Sequence, residues 1–245
     1  MQMKLSKKRI VITGGTSGIG YEMVKKIHTN NEVIVISRNA KKLKELTQKF
    51  PGVITYQADL SKLEDIKAVG SAIAERFESI DLLINNAAVQ YTPTFTDKAF
   101  DYESISHEIT LNFTSICNLT YLLLPALTHK NKAVILNLNS GLALAPKTSS
   151  AIYCATKGAL NIFTQSLRYQ LENTNISVQQ AFLELVETAM TTGRGNNKMS
   201  AEEAAKLIIQ GVERGVLDHD IGKVKLLRLL LRLAPLIAQK IMKKY

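Results

Sequence analysis

Cysteine is scarce in this chain: Cys117 and Cys154 are the only two in 245 residues. Two thiols make no metal site by themselves. So few in a chain this long imply a reducing compartment rather than a disulfide framework. Cys154 follows Tyr153 but points elsewhere on a helix, so it reads as packing. Long apolar runs are missing too. None reaches the roughly 18 uninterrupted residues of a spanning helix, and none is expected to span. The first residues, MQMKLSKKRIVITGG, are basic, but their apolar run soon stops and lacks a signal-peptide core. A cytoplasmic chain is expected. Zinc-ligand spacing, an RNA-binding strand motif and an arginine-rich arm are all missing. Neither a metal centre nor nucleic acid is expected.

Acidic residues are missing from one stretch. Residues 223–245 hold Lys223, Lys225, Arg228, Arg232, Lys240, Lys243 and Lys244, with no Asp or Glu. These make up most of the +10 net charge, so the body before them is only mildly basic. Read as a helix, the stretch puts Lys225, Arg228, Arg232, Gln239 and Lys243 on one narrow side, with leucines and isoleucines around the rest. Pro235 should kink it. Such a helix must bury its wide face. Peripheral contact with a membrane, where the cations meet anionic headgroups, is one solution. Packing on the body or on a second subunit is the other, and the commoner.

What is present reads as alternating strands and helices. Arg9–Thr13 is a β-branched run of the kind found in buried strands. It leads into Thr13-Gly14-Gly15-Thr16-Ser17-Gly18-Ile19-Gly20 and then a helical pattern through Tyr21, Met23, Val24 and Ile27. A strand, a glycine turn and a helix form the setting of a dinucleotide site. The turn lets backbone N–H groups approach a pyrophosphate, and the helix N-terminus favours the anion. Gly14, Thr16, Ser17, Gly18, Ile19 and Gly20 are therefore candidate ligands. The second strand, Val33–Ile36, ends in Ser37-Arg38-Asn39. No acid at 36–38 is placed to hold the ribose 2′-hydroxyl of NAD, whereas Arg38 suits the 2′-phosphate of NADP. The alternative is a surface arginine. Lys41 and Lys42 read as a solvated helix start.

A helix (40–50), a strand (VITYQ) and Asp59-Leu60 follow. Asp59 and Leu60 fall where an adenine would lie, or Asp59 is an ordinary capping residue. A helix over 61–77 and a strand over 81–84 lead to Asn85-Asn86-Ala87-Ala88. This alternation predicts an α/β fold, a doubly wound parallel sheet of Rossmann type. It would form a single domain over 1–222, followed by the basic amphipathic helix 223–245. Ligands in such sheets bind beyond the carboxyl ends of the strands, where the glycine turn, Arg38, Asp59, Asn86 and Ala87 all fall.

Residues 89–101 have the composition of a loop and are placed to line a substrate cleft. A helix over 101–129 carries Asn112 at its centre, and Pro125 kinks or caps its end. Strand 133–138 delivers Ser140. From Ala151 a long helix places Tyr153 and Lys157 on one face. An ammonium at ~4 Å interacts with a phenolate by roughly 4 kcal/mol at an effective dielectric near 20. That is enough to lower a phenol from about 10 by up to ~3 units, into the range of a general acid or base. An incidental Tyr and Lys at this spacing is the alternative. Leu142, Leu144, Phe182 and Met190 suit either an apolar substrate or the core.

Thr13-Gly14-x-x-x-Gly18-Ile19-Gly20, Asp59, Asn85-Asn86-Ala87, Asn112, Ser140 and Tyr153-x-x-x-Lys157, in this order, resemble the short-chain dehydrogenase/reductase family over residues 8–190. Asn139–Ala143 and Tyr153–Lys157 are similar to bacterial DltE-like oxidoreductases. The resemblance implies that Tyr153 exchanges a proton with the substrate oxygen, and that Lys157 lowers the tyrosine and binds the nicotinamide ribose. It implies that Ser140 holds the carbonyl or hydroxyl, and that Asn112 holds a water of a proton relay. It implies NADP(H), a small-molecule carbonyl/alcohol substrate and a homo-oligomer. Two departures stand out. Ala88 replaces a glycine, which costs about 1 kcal/mol if that position needs positive φ. After strand 176–181, Leu183-Glu184 replaces Pro-Gly, although Val186 and Thr188 remain to bind the cofactor. This altered loop keeps open a non-catalytic dinucleotide sensor or membrane-recruited scaffold, and also epimerase or dehydratase chemistry. Residues 189–199 read as a lid or a plain connection. Ser200-x-x-Glu203 caps a helix over 201–214, and a short strand near 217–221 completes the pattern.

Overall fold

The β-branched runs become the strands of one parallel sheet in the computed structural model, which describes residues 2–244. Met1 and Tyr245, at the outer ends of the two expected ranges, lie outside the described residues. The strands are β1 (Arg9–Thr13), β2 (Glu32–Ser37), β3 (Ile54–Gln57), β4 (Leu82–Asn85), β5 (Ala133–Ser140), β6 (Ile176–Leu183) and the short β9 (Asp218–Asp220). Their order is β3-β2-β1-β4-β5-β6-β9, all parallel. The chain moves outward from β1 to β3, then crosses back to β4 and continues the other way. That reversal leaves a crevice above the carboxyl ends of β1 and β4.

Helices cover both faces, as the doubly wound pattern requires. On one face α1 (Gly18–Ile27), α2 (Ala40–Lys49) and α7 (Ala201–Arg214) bury Met23, Val24, Leu43, Leu46 and Ile208 against the sheet. On the other, α3 (Leu63–Arg76), α5 (Ser115–Leu127) and α6 (Ala151–Gln170) bury Ile66, Ile73, Leu119, Leu123 and Leu167. The strands are sandwiched, so they read as continuous apolar runs rather than as alternation.

The helix expected over 101–129 forms in three parts. α4 (Glu103–Ile109) passes into a π turn, Thr110–Thr114, and then α5. Within the turn the ladder slips by one residue: the Ser115 N–H donates to the Thr110 carbonyl. Asn112 sits at its centre, fully buried. Such single turns are common at functional sites. By length and composition alone Glu103–Leu127 is long and apolar enough to cross a membrane. Here Ile116, Leu119, Leu123 and Leu127 are buried in the core instead.

The tail differs from the single kinked helix expected. It forms two helices, α8 (Val224–Leu233) and α9 (Pro235–Lys243), broken at Ala234 with φ −145° and ψ 64°. Proline supplies no N–H and disfavours a helical residue before it, so it starts the second helix instead of bending the first. Arg228 grips Asp220 of β9 through Nε and Nη2 and lies 4.8 Å from the centre of the Phe182 ring. Val224, Ala238 and Met242 are buried, but the broad apolar face expected to pack is largely exposed.

Candidate active site

β1 runs into the glycine turn, which lets α1 start close above the sheet. Gly14 has φ +69°. A Cβ on Gly20 would collide with the Gly14 carbonyl and lie 2.6 Å from Asn86 Nδ2. Only glycine allows this approach. Asn86 binds the turn from the next strand: its Nδ2 donates to the carbonyls of Thr13 (2.8 Å) and Gly14 (3.1 Å). Thr13 Oγ1 in return accepts from the N–H groups of Asn86 and Ala87. Ser17 precedes α1 in extended conformation without capping it, so the first N–H groups of α1 have no side-chain acceptor from Ser17.

The turn faces a cavity of about 510 Å³. Gly14, Thr16, Ser17, Gly18, Ile19, Arg38, Asp59, Leu60, Asn86, Ala87, Ser140, Tyr153, Lys157, Val186 and Thr188 all line it. Two expected residues do not. Gly20 stands behind the turn, where it sets the approach of α1. Asn112 lies behind the wall, its Nδ2 donating to the Val89 carbonyl (2.8 Å) and Thr156 Oγ1 (3.3 Å) while its Oδ1 accepts from the Val89 N–H (2.9 Å). This side chain is committed to protein partners. Lys42 lines the corner beside Arg38 and Lys41 does not; both are exposed, in keeping with a solvated helix start. Asp59 uses Oδ1 to accept from the Ser61 N–H and hydroxyl. Burial alone would push its carboxyl up; those bonds and the Arg38 charge outweigh it and leave the group below its usual value.

β5 ends in Ser140, whose Oγ accepts from the Leu142 N–H and opens a short turn. α6 begins after Ser150, a buried residue with φ +61°, and carries Tyr153 and Lys157 one turn apart. Lys157 Nζ donates to the Leu138 carbonyl (2.8 Å) and lies 5.7 Å from the centre of the Tyr153 ring. The expectation that this lysine lowers the tyrosine is not met in the protein alone. Burial pushes the Tyr153 phenol up, and Cys154 and Glu108 add to that. Arg194 and Ser140 pull back without overcoming it. Burial also pulls the Lys157 ammonium down to about 8, with Glu108 opposing. A low-dielectric wall disfavours the charged form of both groups, and the lysine is not in contact with the phenolic oxygen.

Glu108 does not line this cavity but acts on Tyr153 and Lys157 by its charge, and that was not legible in the sequence. It is 1 % exposed on α4, accepts from the Tyr91 N–H, and burial pushes its carboxyl up to about 7 against the pull of that bond and of Lys157. The pairing of the carboxamides within the sheet left no local signal. Asn85 Nδ2 donates to Asn137 Oδ1, Asn137 Nδ2 to Thr164 Oγ1, and Asn139 Nδ2 to Gln180 Oε1, all buried. They tie β4, β5, β6 and α6 together directly beneath Ser140.

The altered loop after β6 remains part of the wall: Leu183, Glu184, Val186 and Thr188 line the cavity. The Glu184 carboxylate packs on Gly222 and faces Lys223 at 3.9 Å, so it is joined to the tail. Ala88 carries no backbone penalty; the non-glycine residues with positive φ among those described are Lys7, Ser150 and Asn197. Residues 189–199 are held at two points. β7 (Val186–Glu187) pairs with β8 (Met199–Ser200), and Arg194 Nη1 donates to Gln90 Oε1 across the mouth. Of the four apolar candidates, Leu142 and Met190 line the cavity, Phe182 belongs to the core, and Leu144 is only partly buried. The tail adds Val224, Leu227 and Met242 to the wall, for which spacing gave no signal.

A sequence model described as short chain dehydrogenase matches residues 8–199. An uncharacterized oxidoreductase, DltE, of Bacillus subtilis is 30% identical over 233 residues, covering 92% of each chain. An NADP-dependent 3-hydroxy acid dehydrogenase of Schizosaccharomyces pombe is 31% identical over 215 residues, covering 83% of this chain and 81% of its own. Among solved structures, a short chain dehydrogenase from Burkholderia cenocepacia in complex with NADP superposes with a TM-score of 0.88. It is 22% identical, and the match covers 98% of this chain and 99% of that one.

Proposed function

This chain belongs to the short-chain dehydrogenase family and is an oxidoreductase, and from that premise we propose that it uses NADP(H) to reduce a small carbonyl compound to an alcohol. The observation that carries this reading is the convergence of Ser140, Tyr153 and Lys157 on the same cavity as the glycine turn. The cradle fits a dinucleotide. Gly14 and Gly18 adopt φ values of +69° and +53° around it, and the N-terminus of α1 opens beside them. When bound, the nicotinamide supplies the hydride. Arg38 and Lys42, with no acid at the end of β2, support NADP over NAD. The relative named for NADP-dependent 3-hydroxy acid oxidation points the same way.

The residues then divide the remaining work. Ser140 Oγ donates to the carbonyl oxygen and orients it. Tyr153 gives its proton to that oxygen as negative charge develops. Lys157, its Nζ fixed on the Leu138 carbonyl, lines the same cavity and would hold the nicotinamide ribose. A proton relay at Asn112 would use its main-chain carbonyl, since its side chain is held by Val89 and Thr156. Leu142, Met190, Val224 and Leu227 give the reactant end an apolar wall. The outer faces of α5 and α6 expose Tyr121, Ile162 and Tyr169, which supports a homo-oligomer.

Titration of the purified protein with NADPH and NADH, followed by a carbonyl screen, tests the reading. NADPH should bind the tighter, and Tyr153→Phe should lose about 10³-fold in turnover while still binding it. Equal turnover in the variant would remove Tyr153 from the mechanism. Binding without turnover on any carbonyl would place the chain with dinucleotide sensors.

A further inference from the structure

The two helices after β9 are fixed to the body on one side and unpartnered on the other. Val224, Ala238 and Met242 are buried, and Arg228 grips Asp220. On α8, Leu226, Leu229 and Leu233 follow the i, i+3, i+7 spacing of one helix face. With Leu236, Ile237 and Ile241 of α9 they are between 50% and 78% exposed. Isolated exposed leucines are ordinary, but this many within sixteen residues form a patch that marks an interaction surface. The surface is also cationic. No acidic residue follows Asp220, and Lys225, Arg232, Lys240, Lys243 and Lys244 have no carboxylate partner among the described residues.

Charge selects the occupant. A second copy docked through the same face about a two-fold axis would set these cations against themselves, at a repulsive cost. An anionic lipid surface complements both parts of the patch: headgroups meet the lysines and arginines, and the acyl boundary takes the leucines. We propose that α8 and α9 dock the protein peripherally on an anionic membrane surface. The inner sides of the same helices wall the cavity through Val224, Leu227 and Met242, so the docked face adjoins its reactant end. The inference stands apart from the reaction assigned above.

Vesicle flotation with the full-length protein tests it. The protein should float with phosphatidylcholine vesicles containing ~30% phosphatidylglycerol, at least about ten-fold less with phosphatidylcholine alone, and less as salt rises. The triple variant Leu229→Glu/Leu233→Glu/Leu236→Glu should lose flotation and keep the wild-type melting curve, because all three side chains face solvent and none lines the cavity. Arg232→Glu/Lys240→Glu should lose the preference for anionic vesicles. Absence of flotation in the wild type would overturn the proposal. So would a wild-type dimer in sedimentation that the triple variant converts to monomer, which would assign the face to a second copy. Equal binding to both vesicle types would overturn the anionic assignment.

Discussion

Glu108 ties part of the stability of this protein to pH. Its value is about 7 in the fold against 4.5 ordinarily, with burial as the main cause. Between those two pH values the folded chain keeps a proton that the unfolded chain releases, so stability falls as pH rises through this window. At about 1.4 kcal/mol per unit, the full effect is at most about 3 kcal/mol above the upper value. Glu108→Gln should therefore stabilise the protein by up to that amount near pH 8 and change little near pH 4, as read by urea denaturation at the two values. An equal gain at both would show that packing and not charge is responsible. Arg38→Asp should lower the NADPH/NADH affinity ratio by about 10- to 100-fold, the worth of one or two charge-assisted hydrogen bonds. An unchanged ratio would show Arg38 to be a surface residue. The positions of Tyr153 and Lys157 were legible because helical spacing is local. The ordering of their electrostatics was not, since burial comes from distant elements and outweighs the attraction expected of a lone pair.

At the scale of elements, α6 begins under strain. Ser150 holds a left-handed conformation that suits glycine, and its buried Oγ has no partner among the described residues. Ser150→Gly should raise stability by about 1 kcal/mol, visible as a higher melting temperature. A fall would mean that the hydroxyl has a structural role of its own. The helix was legible from Ala151 onward because its apolar spacing is regular, but the conformation of one residue before it leaves no trace in that spacing. The π turn escaped for a similar reason: one inserted residue around Asn112 barely shifts a helical pattern. Asn137 and Asn139 lie buried in β5, and their partners Asn85, Thr164 and Gln180 lie 27 to 52 residues away, beyond any local signal. Pro235 was recognised as an interruption, yet whether it bends a helix or starts a new one depended on how the tail packs.

For the molecule as a whole, the doubly wound sheet was the most legible feature, since each strand and helix declares itself locally and the crossover rule fixes the handedness. The cavity was legible where it is built from the ends of β1 to β5 and from α6. It was not legible where the tail closes it. The wall has a further consequence, one of timing. A ribosome makes Thr188 before Val224 and Met242, and at 5–20 residues per second the gap to Met242 is roughly 3–10 s. During that interval the glycine turn, Ser140, Tyr153 and Lys157 already exist, while the tail's part of the apolar wall does not. Dinucleotide affinity should thus arise during synthesis ahead of the enclosed reactant chamber. A chain cut short after β9 would retain the nucleotide cradle and leave its reacting end open to water.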